Sequence, residues 1–237
     1  MQLFYNPNIN EKTKKFEFDK SESRHIVKVL RKSKGDFLFI TDGKGLLYSA
    51  EITLAHEKKC TVNIKEFTKK TKPWNYYLHI AIAPTKLNDR IEWFMEKATE
   101  IGIDEISPII CEHSERKVLK MERLSKIVSA AMKQSLKFQL PKINEPITFK
   151  NFVKQDRQGD LFIAHCENRE KKSLKELINP SNNTTILIGP EGDFSTKEID
   201  LALQKNYKPI SLGKNRLRTE TAGVVACHSM AFANEGK

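Results

Sequence analysis

The sequence predicts an α/β fold, a largely parallel sheet covered by helices on both faces, preceded by a small β-rich domain. Three observations carry this expectation. First, short apolar runs at residues 76–83, 106–110, 161–164 and 184–188 alternate with helical patterns. Strands alternating with helices form parallel sheets buried on both faces. Second, residues 1–72 read as short strands and turns around one helix, which suits a small closed or half-closed barrel. Third, two strands near the C-terminus end in glycine-containing loops that each open a helix. In open α/β sheets ligands bind outside the carboxyl ends of the strands. The polar run Lys69-Lys70-Thr71-Lys72 ending in Pro73 is the best linker, giving expected domains at 1–72 and 73–237.

Composition narrows the class further. A chain of 237 residues can bury a sizeable core in one or two domains. Hydrophobic residues make up 39% of it, and no apolar run reaches the roughly 18 residues of a membrane span. The start, Met1-Gln2-Leu3-Phe4-Tyr5, has no signal pattern, so a soluble, cytoplasmic protein without a membrane partner is expected. Cys60, Cys111, Cys166 and Cys227 lie far apart with no CxxC pair, which argues against a zinc site and a disulfide framework. No metal is expected, and the six histidines are scattered, each expected on the surface or satisfied in the core. The net charge is +11, and residues 1–72 hold sixteen Lys or Arg against nine Asp or Glu. A basic module beside a more balanced one suits a polyanionic partner. Motifs for a dinucleotide site (GxGxxG), a P-loop, a zincin (HExxH) and an α/β-hydrolase (GxSxG) are absent.

Taken in order, the first domain has a strand at residues 3–5, then a helix capped by Ser21 or Ser23 with Ile26, Val27, Val29 and Leu30 apolar. Basic Arg24, Lys28, Arg31 and Lys32 surround it. Strands at 36–41 and 46–54 flank Asp42-Gly43, a strong hairpin signal, and another strand covers 60–67. In the second domain a helix carries Ile91, Phe94, Met95, Ala98 and Ile101 on one face and closes at Gly102. A helix over 121–136 uses Leu124, Ile127, Val128, Ala131 and Leu136. The strand at 184–188 stops at Gly189-Pro190-Glu191-Gly192-Asp193-Phe194-Ser195. Ser195 reads as the N-cap of the next helix, with Glu198 completing a capping box. A strand at 209–212 ends in a second loop, residues 213–222, before a final helix with Val224, Val225, Met230 and Phe232.

Both loops resemble those of a known family. Ile188-Gly189-Pro190-Glu191-Gly192-Asp193-Phe194-Ser195 resembles the IGPEGGFS loop of bacterial ribosomal RNA methyltransferases that modify N3 of a uridine in small-subunit (16S) ribosomal RNA. Leu212-Gly213 with Leu217-Arg218-Thr219-Glu220-Thr221-Ala222 resembles the family's LGxxxLRTETA loop. Lys97-Ala98-Thr99-Glu100-Ile101-Gly102 is similar to its KATELG, and His25 to Arg31 to its HxxxVLR stretch. Cys111-Glu112-His113-Ser114-Glu115-Arg116-Lys117 is similar to its ERS-type loop. The chain departs at Asp193, where the family usually has glycine and which is expected at the loop's edge, and at Lys214-Asn215-Arg216.

The resemblance implies a SPOUT-class α/β knot methyltransferase domain behind a PUA-like RNA-binding domain. It also implies S-adenosylmethionine as cofactor, 16S ribosomal RNA as partner, free or in the small subunit, and a homodimer. Ile188, Gly189, Pro190, Glu191, Gly192, Leu212, Gly213, Leu217, Arg218, Thr221 and Ala222 are the cofactor-binding candidates. Arg24, Lys28, Arg31, Lys32 and Arg116 are the RNA-binding candidates. Methyl transfer to a ring nitrogen develops charge on the base, which needs a fixed donor or cation. Arg218 is the catalytic candidate for that role because it lies in the cofactor loop and stays charged. Glu220 reads either as a base or as a first-turn carboxylate complementing the helix dipole.

Overall fold

The structure is a computed structural model that describes residues 1–235. It divides into two compact units. Met1–Pro73 with Met132–Leu140 form one, and Trp74–Ala131 with the described residues from Pro141 onward form the other. The sequence division assigns residues 132–140 to the second domain, whereas the structure groups them with the first unit. Backbone bonds from Gly45 N to Phe138 O (2.9 Å) and from Leu140 N to Gly43 O (2.8 Å) hold them to the 42–45 turn.

The first unit contains β1 (Leu3–Tyr5), β2 (Lys15–Glu17), α1 (Lys20–Arg24), β3 (Phe37–Thr41), β4 (Leu46–Leu54) and β5 (Thr61–Lys69). The sheet order is β1-β3-β4-β5-β2, antiparallel except for β1 beside β3. Two register shifts in the β4–β5 pair bend the sheet around Phe4, Phe18, Ile26, Ile40, Tyr48 and Val62. Asp42 makes the hairpin turn as expected, its Oδ1 accepting from Lys44 N (2.8 Å) and Leu46 N (3.1 Å). The helix cap differs from expectation: Asp19, not Ser21 or Ser23, caps α1 by accepting from Glu22 N. Ser23 is buried, its hydroxyl donating to Phe18 O and accepting from Cys60 N (2.8 Å). The helix continues as a π-helical turn over His25–Val29, so Val29 faces solvent and only Ile26 is fully buried.

The second unit begins with β6 (Tyr77–Ile82), α2 (Asn88–Ile101), β7 (Glu105–Ile110) and α3 (Met121–Gln134), whose last residues group with the first unit. It continues with β8 (Lys142–Ile143), β9 (Ile147–Thr148), α4 (Phe149–Val153), β10 (Asp160–Ala164), β11 (Lys172–Ser173) and α5 (Leu174–Leu177). It closes with β12 (Asn183–Ile188), α6 (Thr196–Gln204), β13 (Lys208–Ser211) and α7 (Thr219–Ala233). The sheet order is β11-β13-β10-β12-β6-β7-β8, with β9 also on β7, and every pair is parallel. β6 and β12, at the centre, are buried after their first residue, as strands covered on both faces must be. One expected apolar position moves: Leu136 lies beyond the end of α3 with φ 53° and is 41% exposed.

Register decides where a ligand can sit. Ala164 on β10 pairs with Ile188 on β12 and with Ile210 on β13. The carboxyl ends of these three neighbouring strands are therefore level, and their loops open at one edge of the sheet.

Candidate functional site

The loop after β12 is held by its own side chains. Ser195 and Glu198 form the expected capping box on α6. The other oxygen of Glu198 accepts from Glu112 N (2.9 Å), and Glu191 Oε1 accepts from Lys86 N (2.9 Å). His113 Nδ1 lies 3.1 Å from both Gly192 O and Asp193 O. A Cβ on Gly189 would meet the buried Phe194 ring at 3.1 Å. Asp193 adopts φ 62°, a left-handed conformation that glycine takes without strain. It is not at the loop's edge. Its carboxylate accepts from Cys166 N (2.7 Å) and from Phe194 N (2.9 Å), so it ties the loop after β10 to the loop after β12.

The loop after β13 turns at Gly213, whose φ is 140° and whose added Cβ would meet nothing within 4 Å. Thr219 Oγ1 donates to Gly189 O (3.0 Å), joining the two glycine loops. Arg218 occupies the N-cap position of α7 with extended backbone and makes no side-chain cap bond. Its side chain is exposed and has no hydrogen-bond or ion-pair partner among the described residues. Glu220, two residues on, is buried, with Oε1 3.8 Å from Arg90 Nε on α2 and Oε2 unpaired.

These loops enclose a cleft of two lobes that share Ala164, Cys166, Arg216, Leu217 and Ala222. One lobe, about 270 Å³, adds Ile188, Gly189, Pro190, Glu191, Asp193, Arg218 and Thr219. The other, about 430 Å³, adds His165, Lys171, Ile210, Ser211, Leu212, Gly213, Lys214 and Asn215. Ile188, Gly189, Pro190, Glu191, Leu212, Gly213, Leu217, Arg218 and Ala222 thus meet at one cleft, whereas Gly192, Thr221 and Glu220 do not line it. Sequence reasoning missed the wall contributed by the loop after β10. His165 there is 6% exposed, with neither ring nitrogen hydrogen-bonded. Burial pushes its pKa down, assisted by the Lys171 ammonium. Lys171 Nζ itself donates to His165 O (2.9 Å) and Glu167 O (2.7 Å). The available signal was positional, since β10 is a buried strand ending in polar His165-Cys166-Glu167.

The basic candidates fall in both units. In the first, Arg24, Lys28 and Arg31 are exposed and Lys32 is half-buried, and Lys28 Nζ lies 3.4 Å from Glu57. In the second, Arg116 donates to Thr85 O (3.2 Å) and Lys86 O (2.7 Å), bracing the loop after β6. No group of three or more His, Cys, Asp or Glu among the described residues is arranged to hold a metal. No helix among them is long and apolar enough to cross a membrane.

A parallel sheet with a loop-built cleft at its strand ends, preceded in the chain by a small curled sheet, defines the class: residues 72–231 match the family described as RNA methyltransferase domain, and residues 18–65 the RNA methyltransferase PUA domain. Among curated relatives, Ribosomal RNA small subunit methyltransferase E of Rickettsia conorii is 33% identical over 95% of this chain and 92% of its own length. Its namesake in Mesomycoplasma hyopneumoniae is 30% identical, over 91% of this chain and 94% of its own. The chain belongs to the ribosomal RNA small subunit methyltransferase E family. A crystal structure described as a probable rRNA-methyltransferase from Porphyromonas gingivalis superposes with TM-score 0.91 at 41% identity, covering 98% of this chain and 99% of that one. A Legionella pneumophila protein solved with the bound cofactor SAM superposes with TM-score 0.87 at 28% identity, covering 98% and 97%.

Proposed function

We propose that the protein transfers a methyl group from S-adenosylmethionine to N3 of one uridine in 16S ribosomal RNA. It acts in the cytoplasm as a homodimer, with residues 1–72 supplying RNA affinity and residues 73–237 the chemistry. The observation that carries this reading is the cleft at the level ends of β10, β12 and β13, with an unpaired arginine on its wall. The SAM-bound Legionella relative supports the choice of cofactor. The likeness of both glycine loops to those of the family supports the SPOUT knot.

The residues present fit S-adenosylmethionine. The larger lobe has an apolar wall of Ile210, Leu212, Leu217 and Ala222 that suits a flat heterocycle, with open space above Gly213 for close backbone approach. The smaller lobe presents Glu191 and Asp193 carboxyl groups, which suit the cationic end of the molecule. When bound, the cofactor supplies an electrophilic methyl group. The protein's own residues prepare the acceptor. Uridine N3 carries a proton and is hydrogen-bonded in a paired base, so the base must be unpaired and must lose that proton. The resulting negative charge spreads onto the uracil oxygens. Arg218, unpaired and on the cleft wall, is placed to donate to one of them and so to favour the transition state over the neutral base. Glu220 does not line the cleft and faces Arg90, which supports its role as a first-turn carboxylate rather than a base.

The test is transfer of tritium from methyl-labelled S-adenosylmethionine to small-subunit RNA, followed by digestion to nucleosides. Label recovered as 3-methyluridine is the expected outcome. Label on another nucleoside overturns the N3 assignment, and RNA binding without transfer favours a non-catalytic RNA-binding protein.

A further inference from the structure

We propose that His165 is a cofactor-binding residue whose neutral imidazole hydrogen-bonds the adenosyl part of S-adenosylmethionine. This assignment rests on reading the cleft as the cofactor site. His165 follows β10, the strand between β12 and β13, and lines the larger lobe. It is 6% exposed, yet neither Nδ1 nor Nε2 has a hydrogen-bond partner. A buried polar group without a partner costs roughly 1–3 kcal/mol, so such groups are paired almost everywhere in folded proteins. Here both such atoms belong to one ring, on a residue that lines a cleft. Pairing them with a ligand removes that cost.

Charge and shape decide which part of the cofactor they meet. The lobe that contains His165 has Ile210 and Leu212 on its own wall, with cationic Lys171 and Lys214, whereas the acidic side chains Glu191 and Asp193 line the other lobe; Arg216, Leu217 and Ala222 belong to both. The cationic sulfonium and amino-acid end therefore belongs with the carboxylates, and the uncharged adenosyl group with His165. A neutral imidazole offers one donor and one acceptor, a match for the mixed donors and acceptors of a nucleoside. The surroundings keep the ring neutral: burial and the Lys171 and Arg169 charges oppose protonation, against Asp193 and Glu167, which favour it. A protonated His165 would lose its acceptor and set a second cation beside a cationic ligand.

Calorimetry on the full chain tests this with two ligands, S-adenosylmethionine and 5′-methylthioadenosine, which keeps the adenosyl group and lacks the amino-acid end. His165→Phe, similar in size and apolar, should weaken both by the same factor, roughly ten-fold or more. His165→Gln, which keeps a donor and an acceptor, should recover most of the loss. Wild-type affinity should also fall as pH drops through the pKa of His165, which burial sets below the ordinary histidine value of 6.5, and this fall should flatten in His165→Gln. Should His165→Phe fail to fold, the Gln variant's affinity and pH profile still decide. Wild-type affinity that stays flat through the pH at which His165 protonates in the ligand-free protein, followed by NMR, a loss confined to S-adenosylmethionine, or unchanged affinity in His165→Phe would each overturn the assignment. In the last case wild-type binding still upholds the cleft reading. A wild-type protein that binds neither ligand overturns both.

Discussion

Arg218 and Glu220 sit two positions apart in one motif and have opposite surroundings. Arg218 is exposed on the cleft wall without a side-chain partner among the described residues, whereas Glu220 is buried beside Arg90. Spacing alone left both open as catalytic groups, because helix phase and the neighbouring α2 decide which one reaches the cleft. Arg218→Ala should lower single-turnover methylation by roughly 10²–10³ and leave S-adenosylmethionine affinity within a few-fold. Arg218→Lys should recover little, since a point charge does not reproduce the planar fork. Proportional losses in binding and turnover would mean that Arg218 only holds the loop. Asp193 teaches a similar lesson. The sequence marks it as a departure, but its bond to Cys166 N joins loops 27 positions apart and is visible only after folding.

His79 and Glu105, on adjacent strands, make a second residue-scale prediction. His79 is 1% exposed, with Nε2 2.8 Å from Ser107 Oγ and Nδ1 3.2 Å from Arg157 Nη1. Burial holds its pKa down to about 4. For Glu105, burial alone would push the carboxyl up, but hydrogen bonds from Tyr77, Asn144 and Lys142, with His79 nearby, bring it down to about 2. In both cases the unfolded chain takes up protons first. Stability should therefore fall with pH from about 6.5 to about 4 through His79, and from about 4.5 to about 2 through Glu105. His79→Gln should flatten the upper part of that slope in urea titrations at a series of pH values. An unchanged slope between 6.5 and 4 would place the proton uptake elsewhere.

At the scale of elements, the two glycine loops and their helices were legible because turn, cap and strand signals fall together. The capping box at Ser195 and Glu198 and the span of β4 were both read from local residues. What local pattern could not supply was strand order. Without it, nothing says that the loop after β10 lies between the two glycine loops, and His165, Cys166 and Lys171 stayed unassigned. The π-helical turn after α1 and the position of Leu136 beyond α3 were missed for a related reason, since apolar spacing marks a helix without fixing where it tightens or ends. The glycines separate binding from folding. Gly213→Val adds bulk where nothing lies within 4 Å, so it should abolish S-adenosylmethionine binding while costing about 1–3 kcal/mol of backbone strain. Gly189→Val meets the buried Phe194 ring and should add an overpacking cost of about 1–3 kcal/mol. Calorimetry and thermal melting on both variants check this. Undiminished cofactor affinity in Gly213→Val would remove that loop from the site.

At the scale of the whole molecule, charge set a basic N-terminal module apart from a more balanced remainder, and the resemblance of the two loops implied an enzyme. Reversing Lys28, Arg31 and Lys32 to Glu together should weaken RNA binding and lower the salt slope by roughly 2–3, as fewer counterions are released. Cofactor affinity should not move. Persistence of both RNA affinity and slope would locate the basic face elsewhere. For the homodimer, α7 offers exposed Phe232 and half-buried Val224 and Val225 as apolar surface, whereas Met230 is spent in the core. Light scattering at micromolar concentration should report twice the chain mass of 27.3 kDa, and a monomer would count against it.

The most direct measurement is nucleoside mass spectrometry of small-subunit RNA from a strain lacking the gene. One 3-methyluridine should disappear, return with the wild-type gene and stay absent with Gly213→Val. Small-subunit RNA with its full 3-methyluridine content in the deletion strain would contradict the assignment of this cleft to methylation of uridine N3.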